Sequence, residues 1–377
     1  MAIDVVPTVL YSGMLGVVIS ALVQATSKPK HKQTMYLSGL LVLLIIHILG
    51  ELYIYSGAYR FAPGLAGFQL PIRMLLGPAL YFYAYAAMSA DSKRSVRSYL
   101  TALLGPLVVI VAMLPFIFAM TAEQKLALAD PATRDPELWQ IAIYTCLFSA
   151  VAFIFFTFAY LFAALKLHAQ HRKQLMDKYS AIEKRSMDWF RVVLILWGLA
   201  WLVYAANYAA TFIGVKWFAV ATLLPLFELL ILIAFTHLAL NQSELRESEK
   251  GSAQQTQQRT TVIPPEKMHQ IAEKLSATMA EKQLYRDDEL SLNSLSTSIA
   301  VSENYISETL SQFLNTNFFQ FVNSYRVEEA KKLLMDSDML VSTIAYEVGF
   351  KSKSTFNSAF KKIVGTTPTA FKKAPQI

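Results

Sequence analysis

The residues best suited to chemistry lie near the carboxyl end of the chain, on two helical stretches with polar outward faces. The first stretch, about 303–314, presents Asn304, Ser307 and Glu308 at i, i+3 and i+4, which share one helix face. The second stretch, about 353–364, presents four polar side chains: Lys353, Ser354, Asn357 and Ser358. Such side chains can hydrogen-bond the edges of DNA bases, with Asn suited to adenine, Glu to cytosine and Lys to guanine. Ordinary solvated surface is the alternative interpretation.

The charges around these stretches are unevenly divided. From Gly349 to Ile377 the chain has six lysines and no acidic residue, and Lys361 and Lys362 lie on the second stretch. From Glu281 to Glu308 it has two cations against six acidic residues. Neutralisation of phosphates dominates the affinity of proteins for DNA, so we expect the second stretch to supply most of the binding affinity. Simple solvated charge remains the alternative for the lysine pair.

Two helix-turn-helix units are predicted around these stretches, at about 291–314 and 341–364. Ser291, Ser302 and Ser352 stand where helix N-caps are needed, and Gly349 stands in the second turn. A long helix at about 318–335 joins the two units. The apolar spacing turns Phe313 and Ile363 inward, toward the cores.

Residues 324–371 resemble the signature region of the AraC/XylS family of bacterial transcription regulators. The resemblance rests on Arg326 and three motifs: IAYEVGF (344–350), STF (354–356) and GTTP (365–368). It covers roughly residues 265–375, with Asn315 where the family often has Gly. Asn tolerates the left-handed conformation that such a turn needs. The resemblance implies two reading helices in successive major grooves, with base contacts at Asn304, Ser307, Glu308, Lys353, Ser354 and Ser358.

Two further residues, Arg326 and Glu347, match signature positions of the family. We expect them to support the fold through caps or ion pairs instead of contacting DNA. A second, smaller likeness lies at 75–83 (LLGPALYFY), which resembles a run found in membrane-embedded members of the same family.

The first 240 residues have a different character. Hydrophobic residues make up 54% of the chain, and seven apolar stretches reach the length of about 20 residues that a membrane-spanning helix needs. These stretches are 6–25, 35–56, 68–90, 99–120, 138–166, 189–213 and 217–240. The sequence therefore predicts an all-α protein, a seven-helix transmembrane bundle (1–240) followed by an AraC-type DNA-binding domain with two helix-turn-helix motifs (265–377).

Loop charges predict the orientation of the bundle. Lysines and arginines concentrate in the loops after spans one, three and five, which the positive-inside rule places in the cytoplasm. The amino terminus is then outside, and the C-terminal domain is cytoplasmic, at the inner membrane of a bacterium. Six or eight spans, with the C-terminal domain outside, are the alternative. Residues 241–264, polar and without apolar periodicity, predict a flexible linker.

Charged and polar residues within the spans are candidates for sensing a signal, because such groups are costly in lipid. They are His47, Glu51, Arg73, Tyr204, Asn207 and Glu228, with Tyr208 beside them. A structural ion pair between Glu51 and Arg73 is the alternative. His168 and His171 lie on a basic loop and are interpreted as surface residues.

The sequence shows no metal motif, nucleotide loop or catalytic set, so we expect neither enzyme activity nor a cofactor. The expected partners are double-stranded DNA, the lipid bilayer and an unidentified signal ligand, with a homodimer as one option. The favoured function is a membrane-bound transcription regulator. The alternatives are a receptor or transporter whose tail binds a protein, and an intramembrane enzyme.

Overall fold

A computed structural model describes residues 3–89, 95–130, 132–183, 185–212, 220–242 and 263–373. These residues are helical, with one isolated antiparallel β-bridge in the part of the chain described. The chain divides into two compact units. The bundle unit comprises Met1–His168 and Met187–Lys250, and the reader unit comprises Ala169–Ser186 and Gly251–Ile377. Most of the predicted linker, from residue 243 to 262, lies outside the described residues.

The predicted membrane spans are helices. In order they are α1 (Val5–Thr26), α2 (Lys32–Tyr55), α3 (Gln69–Arg73), α4 (Leu76–Met88), α5 (Val96–Phe118), α6 (Ala122–Ala127), α7 (Pro136–Lys178), α8 (Asp188–Phe212) and α9 (Val220–Asn241). Within the described residues, six helices (α1, α2, α5, α7, α8 and α9) are long and apolar enough to cross a membrane. They suggest a multi-pass membrane protein.

The third predicted span, 68–90, is divided. It consists of the short helix α3 and the 13-residue helix α4. At 1.5 Å per residue α4 is about 20 Å long, which is less than the hydrocarbon layer of about 30 Å. In the part of the chain that the structure describes there are therefore six full-length candidate spans, where the sequence predicts seven.

The bundle unit exposes apolar side chains that a soluble protein would cover. Along α5, Leu100, Leu103, Leu104 and Leu107 are each more than half exposed. The opposite face of the same helix buries Val109 and Met113. Large exposed apolar faces are unfavourable in water and match lipid tails.

The reader unit is built around one long helix. Its helices are α10 (Pro265–Lys282), α11 (Leu292–Ile299), α12 (Glu303–Glu308), α13 (Phe318–Asp336), α14 (Val341–Glu347), α15 (Lys353–Val364) and α16 (Pro368–Lys373). A π-helical turn, Thr309–Phe313, follows α12. Phe318 and Val322 of α13 belong to a core with the first helix-turn-helix unit, whereas Ala330 and Leu334 belong to a second core. The helix α13 thus joins two small cores.

The predicted caps and turns of the reader unit are confirmed. Ser291 and Ser352 accept hydrogen bonds from the backbone N–H three residues later, at 3.2 Å each. Asn315 adopts the left-handed conformation with φ of 49°. Gly349 has φ of 94°, and a Cβ there would lie 2.5 Å from the carbonyl oxygen of Tyr285. Only glycine fits this second turn, because φ is positive and because a Cβ would collide with the Tyr285 carbonyl.

Three predictions of burial are wrong. Phe313 and Ile363 were expected inside, but they are 40% and 43% exposed. The π-helical turn inserts an extra residue into the α-helical register, which shifts Phe313 off the buried stripe. Ile363 lies in the last turn of α15, beyond the buried Phe356 and Phe360.

The third concerns the histidines of the basic loop. His168 and His171 were interpreted as surface residues, yet they are 2% and 5% exposed. The ring Nε2 of His171 lies 3.2 Å from the carbonyl oxygen of Arg185. His168 lies beside Asp188, with 3.4 Å between Nε2 and Oδ1. The structure continues α7 through both histidines to Lys178, and the chain after Lys178 folds back against them, which the polar composition did not indicate.

Candidate functional site

The first candidate reading surface is the outer face of α12. Ser302 caps this helix by accepting from the N–H of Tyr305, and the buried Ile306 fixes its inner face. Asn304 is exposed, and Ser307 and Glu308 are half-buried. The Glu308 carboxylate accepts a hydrogen bond from Gln312 at 3.1 Å. Asn304 therefore lies on the side away from the core, as the spacing predicts, whereas Ser307 and Glu308 are partly covered.

The second candidate reading surface is the outer face of α15. Phe356 and Phe360 are fully buried and anchor the helix to the second core. Lys353, Ser354 and Ser358 are exposed, whereas Asn357 is half-buried. Lys361 and Lys362 are exposed in the last turns. The structure thus leaves the predicted base-reading and phosphate-binding side chains of α15 available to a partner.

Arg326 holds the two halves of the reader unit together. It is fully buried on α13, and its Nε donates to the carbonyl oxygen of Tyr285 at 2.7 Å. Its Nη2 donates to the carbonyl oxygen of Asp287 at 2.8 Å. Its guanidinium also lies 5.4 Å from the centre of the Phe350 ring. These bonds satisfy carbonyl groups of the segment before α11. Arg326 therefore supports the fold, but through hydrogen bonds to backbone carbonyl oxygens, where the sequence predicted a cap or an ion pair.

Burial lowers the pKa of Arg326 to about 10, whereas the carboxylates of Glu183, Asp287 and Asp288 raise it. The guanidinium therefore stays protonated at neutral pH, and its charge is compensated by carbonyl oxygens and nearby carboxylates.

The cations near the first helix-turn-helix unit are engaged by carboxylates. Arg286 pairs with Glu329, and its Nε donates to Oε2 at 3.1 Å. This hydrogen bond raises the pKa of Arg286. Lys351 of the second turn pairs with Glu289. The range from Glu281 to Glu308 contains two cations, Lys282 and Arg286. Because Arg286 is paired with Glu329, Lys282 at the end of α10 is the other cation of this range that could contact a phosphate.

The predicted sensing residues of the bundle unit form a cluster. Arg73, 6% exposed, lies 3.5 Å from the Glu51 carboxylate, measured from Nη1 to Oε1. The same nitrogen lies 3.3 Å from the Tyr204 hydroxyl. The guanidinium packs on the rings of Tyr204 and Phe153, at 4.6 and 5.0 Å. Arg73 of α3 thus contacts α2, α7 and α8.

A small cavity adjoins this cluster. It has a volume of about 30 Å³, and its polar lining comes from Tyr11, His47 and Glu228. The Tyr11 hydroxyl donates to the Glu228 carboxylate at 3.1 Å. Among the described residues, His47 Nδ1 and Arg73 Nε are buried without a hydrogen-bond partner. A polar cavity of this size holds one or two waters.

Two predicted members lie at the edge of what the structure describes. Asn207 is half-buried on α8, outside the cavity lining, and the side chain of Tyr208 lies outside the described residues. Sequence reasoning missed Tyr11 and Phe153, the aromatic partners of Glu228 and Arg73. Nothing in their spacing sets them apart from other aromatic residues of a span.

Comparisons with known proteins concern the C-terminal part of the chain. Residues 295–374 match the family described as HTH_18, helix-turn-helix domain. An uncharacterized HTH-type transcriptional regulator of Staphylococcus aureus is 29% identical over 112 residues, which are 30% of this chain and 14% of the relative. The HTH-type transcriptional regulator YtdP of Bacillus subtilis is 33% identical over 82 residues, 22% of this chain and 11% of the relative.

The chain therefore matches less than a sixth of the length of these two relatives. Among solved structures, the C-terminal domain of AraT, a response regulator from Geobacillus stearothermophilus, is 24% identical, with a TM-score of 0.26 over 31% of this chain and 91% of that one.

The sequence match, the two capped helix-turn-helix units and the motifs at 344–368 agree with one another. The C-terminal part of this chain is an AraC-type helix-turn-helix domain of the kind found in HTH-type transcriptional regulators.

Proposed function

We propose that the protein is a membrane-bound regulator that binds specific DNA sequences and couples a signal received by the bundle unit to promoter binding. One observation carries the proposal: two capped helix-turn-helix units lie on a common helix, and each has an outward polar face. Paired units of this kind place their second helices in successive major grooves. The bases would be read by Asn304, Ser307 and Glu308 of α12, and by Lys353, Ser354, Asn357 and Ser358 of α15.

The topology forms part of the proposal. We propose seven crossings, with α3 and α4 together forming the third, and a cytoplasmic C-terminal domain at a bacterial inner membrane. The described residues divide differently from the proposed 1–240, 241–264 and 265–377, because residues 169–186 cluster with the reader unit. A tag fused after Ile377 should be accessible only from the cytoplasmic side. Accessibility from outside alone would remove the domain from DNA.

The function is tested by selecting preferred sequences from a random pool of duplexes with the full chain in detergent. We expect a reproducible motif that extends over two neighbouring major grooves. A receptor or transporter whose tail binds a protein would yield no motif and no salt-sensitive DNA affinity. Two copies of the chain on one promoter would appear as a repeated motif.

The lysine pair of α15 provides a second test. Lys361→Gln with Lys362→Gln should weaken binding to every sequence, because exposed cations in this position neutralise phosphates without reading bases. The slope of log affinity against log salt should decrease by up to about 2. Lys331→Gln with Lys332→Gln, on α13, is the charge-matched control. Equal slopes for the two double variants would contradict the assignment.

The polar cluster is proposed as the part of the bundle unit that responds to the signal. Charged groups within spans are costly and usually functional, and here His47 Nδ1 and Arg73 Nε are buried without a hydrogen-bond partner among the described residues. The cavity beside Glu228 is too small for a ligand larger than water, so a ligand would have to separate the helices that line it. A signal shifts such an equilibrium only by binding one packing more tightly.

The sensing proposal is tested with a reporter gene placed behind the selected motif. Glu228→Gln and His47→Gln should change reporter output while leaving the DNA affinity of the purified protein unchanged. Ser149→Ala is the control, because Ser149 is a buried polar residue of α7 whose hydroxyl donates to the carbonyl oxygen of Thr145 within its own helix. If the cluster variants and the control give the same output, the cluster serves only to hold the bundle together.

A further inference from the structure

Residues 169–186, which comprise the last turns of α7 and most of the connection to α8, are a folded part of the reader unit. The backbone N–H and the Oγ of Ser180 both donate to the carbonyl oxygen of Leu290, at 3.2 and 2.7 Å. The neighbouring residues Tyr179 and Ser291 form an antiparallel bridge. The segment thus pairs with the chain immediately before α11, the first helix of the first helix-turn-helix unit.

Arg326 fixes the same segment from the other side. Its Nη1 donates to the carbonyl oxygen of Ser180 at 3.3 Å, and its Nη2 donates to the Ser180 Oγ at 3.1 Å. Ser180 is 1% exposed, and Leu175 and Ile182 of the segment are also buried. Within the segment, the Arg185 guanidinium packs 4.5 Å from the centre of the Tyr179 ring. The docked conformation is therefore held by buried hydrogen bonds and by apolar packing.

Docking places the end of α7 beside the first reading helix. Lys173 and Asp177 line a polar cleft together with Ser307 of α12 and Ser311 of the π-helical turn. The rest of the lining comes from the turn and the start of α13, from Asn315 to Gln320. Ser307 is one of the proposed base-reading residues, so a DNA duplex seated on α12 would pass close to Lys173.

Residues 169–186 carry an excess of positive charge, whereas the first helix-turn-helix unit has few cations of its own. Residues 169–186 contain five cations (Arg172, Lys173, Lys178, Lys184 and Arg185) against Asp177 and Glu183. Between Glu281 and Glu308 two cations face six acidic residues, and one of the two, Arg286, is paired with Glu329. A reading helix without nearby cations would bind the DNA backbone weakly, because phosphate contacts supply most of the affinity.

We infer that residues 169–186 belong to the DNA interface, where Arg172 and Lys173 bind backbone phosphates beside the first reading helix. Both side chains are exposed, and Lys173 lines the cleft that Ser307 shares. The inference rests on the proposed DNA-binding function and assigns part of that binding to a connection between two candidate membrane spans. The partner is the phosphate backbone of a DNA duplex, and the contact is independent of base sequence.

The test uses the full chain in nanodiscs of zwitterionic lipid and a fluorescent 30-base-pair duplex of random sequence. Arg172→Gln with Lys173→Gln should reduce affinity by about tenfold or more at 0.1 M salt and lower the salt slope by about 1 to 2. Lys30→Gln with Lys32→Gln removes the same charge from the connection between α1 and α2, in the bundle unit, and should change neither quantity.

The possible results separate this inference from the proposed function. If the unaltered protein does not bind DNA, the proposed function itself fails. If it binds and the Arg172/Lys173 variant matches the control, the inference is overturned. That second result is also the outcome expected if these cations bind anionic lipid headgroups instead of DNA.

A cross-link tests the docked geometry. Tyr179→Cys with Ser291→Cys, in a Cys146→Ser background, joins the two residues of the bridge, whose spacing in an antiparallel pair suits a disulfide. We expect the oxidised protein to form the bond and to bind the duplex as tightly as the reduced protein. Absence of the bond would show that the segment does not dock. Loss of binding that reduction restores would show that the docked segment blocks DNA. Either result overturns the inference.

Discussion

The strongest consequence of the structure for stability concerns Arg326. Replacing it with Met preserves much of the length of the side chain but removes every donor. Three backbone carbonyl groups, of Tyr285, Asp287 and Ser180, then lose a hydrogen bond. Tyr285 and Ser180 are buried, so water reaches their carbonyl oxygens only if the unit opens. Asp287 is exposed, and its carbonyl oxygen keeps a hydrogen bond from the N–H of Leu290 at 3.2 Å.

The magnitude follows from the two carbonyl groups, of Tyr285 and Ser180, that are left without the Arg326 donor and belong to buried residues. Each buried acceptor left without a donor costs about 1–3 kcal/mol, so Arg326→Met should destabilise the reader unit by about 2–6 kcal/mol. This is a large share of the total stability of a small domain, which is about 5–15 kcal/mol. Arg326→Lys keeps the charge but cannot reproduce the fork of donors, so it should fall between Met and the original residue.

Hydrogen exchange of the full chain, followed by mass spectrometry, measures this effect locally. Protection of the most slowly exchanging amides of α13 should fall by about 30-fold to 20,000-fold in Arg326→Met, since about 1.4 kcal/mol corresponds to a factor of ten. Arg286→Met is the matched control, because its half-exposed ion pair with Glu329 contributes at most about 1 kcal/mol. Equal losses of protection in the two variants would refute the reasoning.

Two further predictions concern stability in each unit. Gly349→Ala should destabilise the reader unit more than Gly365→Ala in the same exchange experiment. Both glycines have positive φ, but only a Cβ at position 349 would collide with the Tyr285 carbonyl. Equal losses of protection in the two variants would contradict this prediction. In the bundle unit, Glu51→Gln should lower the thermal midpoint in detergent, since it leaves Arg73 without its carboxylate in a buried site. Adding Arg73→Leu should recover part of the loss, and an additive double variant would exclude coupling.

Much of the fold was predictable because its signals are local. An N-cap serine, a glycine or asparagine in a left-handed turn, and twenty apolar residues in a row each act within a few residues of their position. Ser291, Ser352, Asn315 and Gly349 therefore have the conformations that the sequence predicts. The positions of the reading helices follow from the same signals.

What the sequence did not indicate depends on contacts between distant residues. Ser180 and Arg326 are 146 positions apart, and neither residue type signals the other. His171 is buried because the chain after α7 folds back and brings Arg185 against it, although the neighbours of His171 are charged. The register change at Phe313 arises from a π-helical turn, for which the sequence offers no local signal.

In the proposed function, chain connectivity favours residues 169–186 over the linker as the route between the bundle unit and DNA. The segment begins in the last turns of α7 and ends before α8, and Arg73 packs against one residue of each helix, Phe153 and Tyr204. A change at the cluster that displaces these two helices acts on both ends of the segment. Residues 241–264 are predicted to be a flexible tether, which transmits little displacement.

This reasoning leads to a last prediction, tested with insertions of equal length. Four residues, Gly-Ser-Gly-Ser, added after Gly251 should leave the response of the reporter to the signal intact, because a longer tether is still a tether. The same insertion after Lys178 should abolish the response, since it separates Ser180 from the end of α7 while Arg326 still holds it. DNA affinity measured in parallel distinguishes loss of coupling from loss of binding. A response that is lost only with the insertion after Gly251 would assign the signal to the linker.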